Sequence, residues 1–189
     1  VPSALRADGA KVFVVQVSAA NSTEVRGEQL VLQIKKILAA TGAAKVNLMG
    51  HSHGGPTSRY AASVRPDLVA SVSSIAGVNK GSAVADIILK VAPPGSITNS
   101  ALVSITNGLG SIISFLSGRS GLSQNSLGAV NSLSTAGAAK FNKDHPQGVP
   151  TTACGQGAYS VGGVRYYSWS GAQPYTNVFD IWDPALALT

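Results

Sequence analysis

The chain is poor in the residues that usually carry chemistry. Its 189 residues hold one cysteine, one methionine, three histidines and only eight Asp and Glu against 14 Lys and Arg. A lone cysteine, Cys154, cannot close a disulfide within the chain. It reads either as a small buried residue or, in an exported protein, as half of a bridge completed elsewhere. The net charge of +6 is scattered, without a basic run or an aromatic-interleaved basic patch, so nothing speaks for nucleic-acid binding. Val1-Pro2-Ser3-Ala4-Leu5 lacks the basic start and apolar block of a signal peptide. No internal repeat or low-complexity linker divides the sequence, and its length suits one domain with a sizeable core.

What is present is concentrated in Gly50-His51-Ser52-His53-Gly54-Gly55, which follows Lys45-Val46-Asn47-Leu48-Met49. The G-x-S-x-G pattern places a serine on a sharp strand-to-helix turn, where its hydroxyl can reach a carbonyl carbon. Ser52 is therefore the expected nucleophile of a covalent hydrolase. Gly50 and Gly54 are expected because a Cβ at either would collide where strand and helix crowd together.

The surroundings agree with that turn. Val12 to Val17 is a short β-branched run bounded by Asp8-Gly9 and Asn21-Ser22, which reads as a buried strand. From Thr23 to about Ala40, Leu30, Ile34, Ile37 and Leu38 share one helical face, and Gly42 follows where positive φ is wanted. Val46 to Met49 is the next strand. Pro56 suits a first helical turn, Thr57 to Val64 continue that helix until Pro66, and Val69 to Ala76 is a third strand. This βαβαβ alternation builds a parallel sheet with right-handed crossovers, and Ser52 falls beyond a strand's carboxyl end, where ligands bind in such sheets. Further on, residues 124–141 read as one helix. Tyr159 to Val161 and Val164 to Trp169, joined by Gly162-Gly163, read as a hairpin whose second arm continues into the sheet.

A serine hydrolase of this class needs an acid and then a histidine after the serine. The histidines are His51, His53 and His145. His51 and His53 flank the serine with side chains directed away from its hydroxyl, and His51 is expected to pack beside the elbow. His145, in Lys143-Asp144-His145-Pro146, could complete the order with Asp67 or Asp86 ahead of it, but its charged setting after a helix reads first as a solvated loop residue, and without it the triad is incomplete here. His53 contributes through its backbone, since the N–H after the nucleophile is an oxyanion donor. Residues 91–118 carry no charge. Leu102, Ile105, Leu109, Ile112, Ile113, Phe115 and Leu116 recur there at roughly helical spacing, which leaves a mobile lid, a core helix or a membrane span as readings.

In matching order, Arg26-Gly27-Glu28-Gln29-Leu30, the elbow with Pro56, Arg59-Tyr60, Arg65-Pro66-Asp67-Leu68, Lys80-Gly81-Ser82, Gln124 to Gly128, Phe141-Asn142, Pro146-Gln147-Gly148, Ala153-Cys154-Gly155 and Tyr166 to Gly171 resemble the secreted triacylglycerol lipases of Pseudomonas and Burkholderia. One departure is Gly77-Val78-Asn79-Lys80-Gly81, where that family usually has a proline and a histidine before the lysine and glycine.

The resemblance implies an α/β-hydrolase fold with helices on both faces of a mostly parallel sheet and a helical lid at about residues 96–120. It implies a single partial domain over residues 1–189, missing the upstream oxyanion loop and the downstream acid and histidine. By the same resemblance, Cys154 pairs with a cysteine outside the chain, and Asp180 is a calcium ligand whose fellow ligands lie elsewhere, because one carboxylate is not a site. The implied function is extracellular hydrolysis of triglyceride or other ester lipids at an interface, with a membrane-anchored lipase-specific foldase as partner and no stable membrane span. A short-chain esterase or polyester depolymerase, and a non-catalytic lipid- or partner-binding remnant, stay open beside it.

Overall fold

The computed structural model describes residues 2–91, 122–152 and 155–171. The elements run α1 (Pro2–Ala7), α2 (Thr23–Thr41), β1 (Val46–His51), α3 (Gly54–Val64), β2 (Val69–Ile75), α4 (Ala83–Val91), α5 (Ser126–Leu133), α6 (Thr135–Asp144), β3 (Ser160–Val161) and β4 (Val164–Trp169). The sheet order is β1-β2-β4-β3. β1 and β4 both pair parallel to β2, whereas β3 is the antiparallel arm of the hairpin. The expected lid at about residues 96–120, Cys154 and Asp180 lie outside the described residues.

Helix α2 has the ends its sequence calls for. The Ser22 side chain accepts from the N–H of Val25, and Gly42 at φ 70° donates its N–H to the carbonyl of Leu38. Its stripe of Leu30, Val31 and Ile34 meets Ala61 and Ala62 of α3, Leu48 of β1, Val69 and Val72 of β2, and Val164 of β4 in one core. Burial of each such branched side chain contributes about 1.5–3 kcal/mol. Two alanines on α3 leave room for the larger residues of α2 and the sheet.

That core occupies one face of the sheet. Strand register puts Asn47, Ser71 and Arg165 in one row, Met49, Ser73 and Tyr167 in the next, and His51, Ile75 and Trp169 in the third. These rows line the opposite face, where Met49 is 51% and Trp169 64% exposed. The second covering layer expected from the sequence is not among the described residues. None of the described helices is long and apolar enough to cross a membrane.

Two sequence expectations need correction. Residues 12–17 form no strand, and Phe13 and Val14 are 51% and 73% exposed. A strand exists only through a partner, and among the described residues nothing pairs with this segment's backbone as a ladder. Side-chain amides of α2 take that role instead: Gln33 accepts from the N–H of Gln16 at 3.1 Å and donates to its carbonyl, while Gln29 accepts from the N–H of Ser18 at 2.7 Å.

The helix expected over 124–141 is two helices. Ser134 (φ −67°, ψ 160°) ends α5 and caps α6, its hydroxyl donating to the carbonyl of Asn131 and accepting from the N–H of Gly137. A serine at this spacing offers the backbone an alternative to a continuous helix. The hairpin is as expected, with Gly162 and Gly163 at φ 59° and 77°.

Candidate active site

The turn from β1 into α3 is tight enough to determine its own residues. A Cβ on Gly50 would lie 2.0 Å from the carbonyl oxygen of Gly54, so only glycine fits there. Gly54 itself differs from expectation, because a Cβ there would meet nothing within 4 Å. The second steric demand falls on Gly55, whose Cβ would lie 2.3 Å from Ser74 Oγ. The strand–helix contact is thus made by the second glycine of the pair.

Ser52 sits at the apex with φ 55°. For a residue with a side chain this left-handed conformation costs on the order of 1–2 kcal/mol. Three backbone bonds hold it. Its N–H donates to the carbonyl of Ile75 at 3.1 Å, and its carbonyl accepts from Gly55 at 3.0 Å and Val78 at 3.4 Å. Ala76, just after β2, is the other described non-glycine residue at positive φ (45°), and its N–H donates to the carbonyl of Trp169. Both strained residues therefore lie at the carboxyl ends of neighbouring parallel strands. The Ser52 hydroxyl is partly exposed and has no hydrogen-bond partner among the described residues.

The three histidines have separate fates. His51 is exposed on the sheet face opposite the core, which corrects the expectation that it packs beside the elbow. His53 is buried, and its Nε2 lies 2.9 Å from Thr23 Oγ1. Burial, reinforced by the charge of Arg26, pushes its pKa down to about 3, so the ring is neutral at ordinary pH. His145 is not a solvated loop residue. Its Nδ1 lies 2.7 Å from Ser63 Oγ and its ring packs against Tyr60 and Phe141. Burial lowers its pKa, and its carbonyl accepts from Arg59 at 2.8 Å. With His53 and His145 committed to Thr23 and Ser63, neither ring is hydrogen-bonded to Ser52.

Behind the elbow lies a buried polar group that the motifs did not single out chemically. Arg26 has no carboxylate partner among the described residues. Its Nε donates to Thr57 Oγ1 at 3.2 Å and its Nη1 to the carbonyls of Ser18 and Ala19. Burial lowers its pKa to about 10, which leaves it charged. The loop that departs from the lipase pattern is also tied in: Asn79 Nδ2 donates to Ser74 Oγ at 3.0 Å, directly beside Gly55 and Gly77. An arginine on the apolar side of an amphipathic helix was the available signal for the first; the second had none. No three His, Cys, Asp or Glu side chains gather into a metal site among the described residues.

A family model described as the alpha/beta hydrolase fold matches residues 1–189. Over 188 residues the chain is 58% identical to a triacylglycerol lipase of Vibrio cholerae serotype O1, covering 100% of this chain and 60% of that protein. A triacylglycerol lipase of Pseudomonas fragi is 44% identical over 171 residues, 90% of this chain and 58% of its own length. The resemblance drawn from the motifs is thus met by relatives of the same kind. Among solved structures, a Bacillus licheniformis lipase in its propeptide form matches at a TM-score of 0.50 and 20% identity, over 79% of this chain and 26% of that one, a likeness of fold alone. The chain spans about 60% of the length of the curated relatives it matches.

Proposed function

Because the chain belongs to the alpha/beta hydrolase fold family, we propose that Ser52 is the nucleophile of a triacylglycerol lipase. The observation that carries this reading is the Ser52 hydroxyl, without a hydrogen-bond partner among the described residues and held at φ 55° between β1 and α3, beyond the carboxyl ends of the parallel strands. Ser52 Oγ attacks the ester carbonyl carbon as its proton passes to a general base. The tetrahedral oxyanion accepts from the N–H of His53. Collapse expels the alcohol and leaves an acyl-enzyme at Ser52, which water then opens to release the fatty acid. Neither the His53 ring, which meets Thr23, nor the His145 ring, which meets Ser63, is hydrogen-bonded to Ser52 as that base.

The experiment is labelling and turnover in the whole protein. A fluorophosphonate ester is expected to modify Ser52, and Ser52→Ala to abolish both labelling and hydrolysis of triglyceride emulsions. Turnover that survives Ser52→Ala removes the reading.

The same reading extends to features outside the described residues. Residues at about 96–120 serve as the lid in this reading, so activity rises when triglyceride passes from monomer to emulsion; equal rates on soluble short-chain esters favour a simple esterase. Asp180 contributes to a structural calcium site with oxygen ligands from other parts of the protein, and chelation then lowers thermal stability. The enzyme works outside the cell after maturation by a dedicated foldase.

A further inference from the structure

We propose that Thr23 is a positioning residue for the oxyanion donor, acting through the His53 ring; this rests on the lipase reading above.

The donor is a backbone N–H, so its aim depends on how the His53 residue is held. His53 stands at the N-terminal boundary of α3, but its side chain makes no capping bond to that helix. The ring crosses to α2, where Nε2 meets Thr23 Oγ1 at 2.9 Å. Both partners are buried, Thr23 with 1% exposure and His53 with 6%, so water does not substitute for either. Thr23 is held in turn, because its N–H donates to Ser132 Oγ of α5 at 3.2 Å.

The same helical turn also reaches the His53 carbonyl, through Thr57. The carbonyl of His53 accepts from the Thr57 hydroxyl at 2.7 Å and the Thr57 N–H at 3.2 Å. Thr57 Oγ1 accepts from Arg26 Nε, and Arg26 lies one turn along α2 from Thr23. The peptide that carries the donor is pinned at its oxygen, since the Ser52 carbonyl accepts from Gly55 and Val78. One turn of α2 therefore holds the His53 ring directly through Thr23 and braces its carbonyl indirectly, through Arg26 and Thr57, while the preceding peptide oxygen is fixed. The neutral ring acts as a strut, not as an acid or base. Without the Thr23 hydroxyl the ring has an unpaired nitrogen in a buried site, and the shift of the ring and its Cα that relieves this works against the Ser52 and His53 carbonyl bonds and tilts the N–H off the developing oxyanion. Oxyanion stabilisation is steeply sensitive to such misalignment.

The test uses the whole protein with a soluble p-nitrophenyl ester, comparing wild type with Thr23→Val, which keeps shape without the hydroxyl, and Thr23→Ser, which keeps the hydroxyl. Thr23→Val is expected to lower kcat about tenfold with KM within about twofold, and to weaken a boronic acid oxyanion mimic by a similar factor. Thr23→Ser is expected to stay within about threefold of wild type. Wild-type kcat in Thr23→Val, whatever its melting temperature, overturns the proposal, as does a Thr23→Ser enzyme as slow as Thr23→Val. Should Thr23→Val not fold, His53→Phe, a ring without the nitrogen that meets Thr23, reports on the same contact, with a comparable loss of kcat expected and an unchanged kcat overturning the idea. A wild-type protein without Ser52-dependent hydrolysis instead removes the lipase reading, which keeps the two failures distinct.

Discussion

Adding one methyl group at Gly50 or at Gly54 should give opposite results, although both glycines belong to the same motif. In Gly50→Ala the new Cβ would lie 2.0 Å from Gly54 O, 2.3 Å from Gly54 C and 2.8 Å from Gly55 N. Ordinary contact begins near 3.4 Å, so the overlap exceeds an ångström. All three obstacles are backbone, so no side chain can rotate away. The start of α3 must retreat, and with it Ala61 and Ala62, which are buried in the core. Overpacking of this kind costs about 1–3 kcal/mol, and a backbone obstacle argues for the upper end, about 3. Gly54→Ala meets open space at a helical position, where alanine is favoured over glycine by up to about 1 kcal/mol. The two variants should differ by roughly 3–4 kcal/mol. Urea denaturation followed by far-ultraviolet circular dichroism measures this through the midpoint. In the whole protein, displacement of Ser52 by about 1 Å should also cost Gly50→Ala on the order of a hundredfold in ester hydrolysis. A Gly50→Ala protein as stable as wild type, or a Gly54→Ala protein as damaged as Gly50→Ala, refutes the steric argument.

The pKa of His53, pushed down to about 3 from 6.5, makes stability depend on pH. Below 6.5 the unfolded chain binds a proton that the folded ring refuses, so stability is full above that pH and falls as pH drops towards 3, by up to about 1.4 kcal/mol per unit. His145, also lowered by burial, adds a contribution of the same sign. Urea midpoints between pH 4 and 7 should therefore show a slope that His53→Gln flattens, and an identical slope in that variant contradicts the burial argument. Arg59 joins α3 to the end of α6 by donating to Asn142 Oδ1 and the carbonyl of His145, both at 2.8 Å, over the ring of Phe141. Arg59→Lys should lose about 2 kcal/mol, because an ammonium cannot span both acceptors in the planar geometry of a guanidinium. An unchanged urea midpoint for Arg59→Lys shows that the fork is not needed.

The parts of the fold that could be read from the sequence are those whose partners are close along the chain. Helix α2 declared itself through its apolar stripe, Ser22 and Gly42, and the β1–α3 elbow through five residues, because each depends on neighbours within a few positions. Residues 12–17 have the composition of a strand, but a strand is a property of two segments, and composition cannot report whether the second is present. The break at Ser134 was similarly hidden, since a serine inside a helical pattern is tolerated unless its hydroxyl finds the carbonyl and N–H that it finds here. At the site, Ser52 was legible and Thr23 was not. The contact between Thr23 and His53 joins residues 30 positions apart, and neither residue type signals it.

The elbow also explains why its strain persists. An isolated residue at φ 55° would relax, but Ser52 is bonded on both sides of its Cα: its N–H to β2, its carbonyl to α3 and to the loop after β2. Relaxation would break bonds to three elements at once, each worth about 1 kcal/mol, against a strain of similar size per residue. The two anchors beyond α3 both belong to β2 and its exit loop, so the conformation of Ser52 depends on a strand that contributes no side chain to the proposed chemistry. The unusual Gly77-Val78-Asn79 sequence acts at the same point. Val78 supplies one of the bonds to Ser52, and Asn79 holds Ser74 in the space that Gly55 leaves open. The departure from the lipase pattern thus keeps a loop that supports the elbow from behind, and an alanine at Gly55 would press on that loop before it touched Ser52.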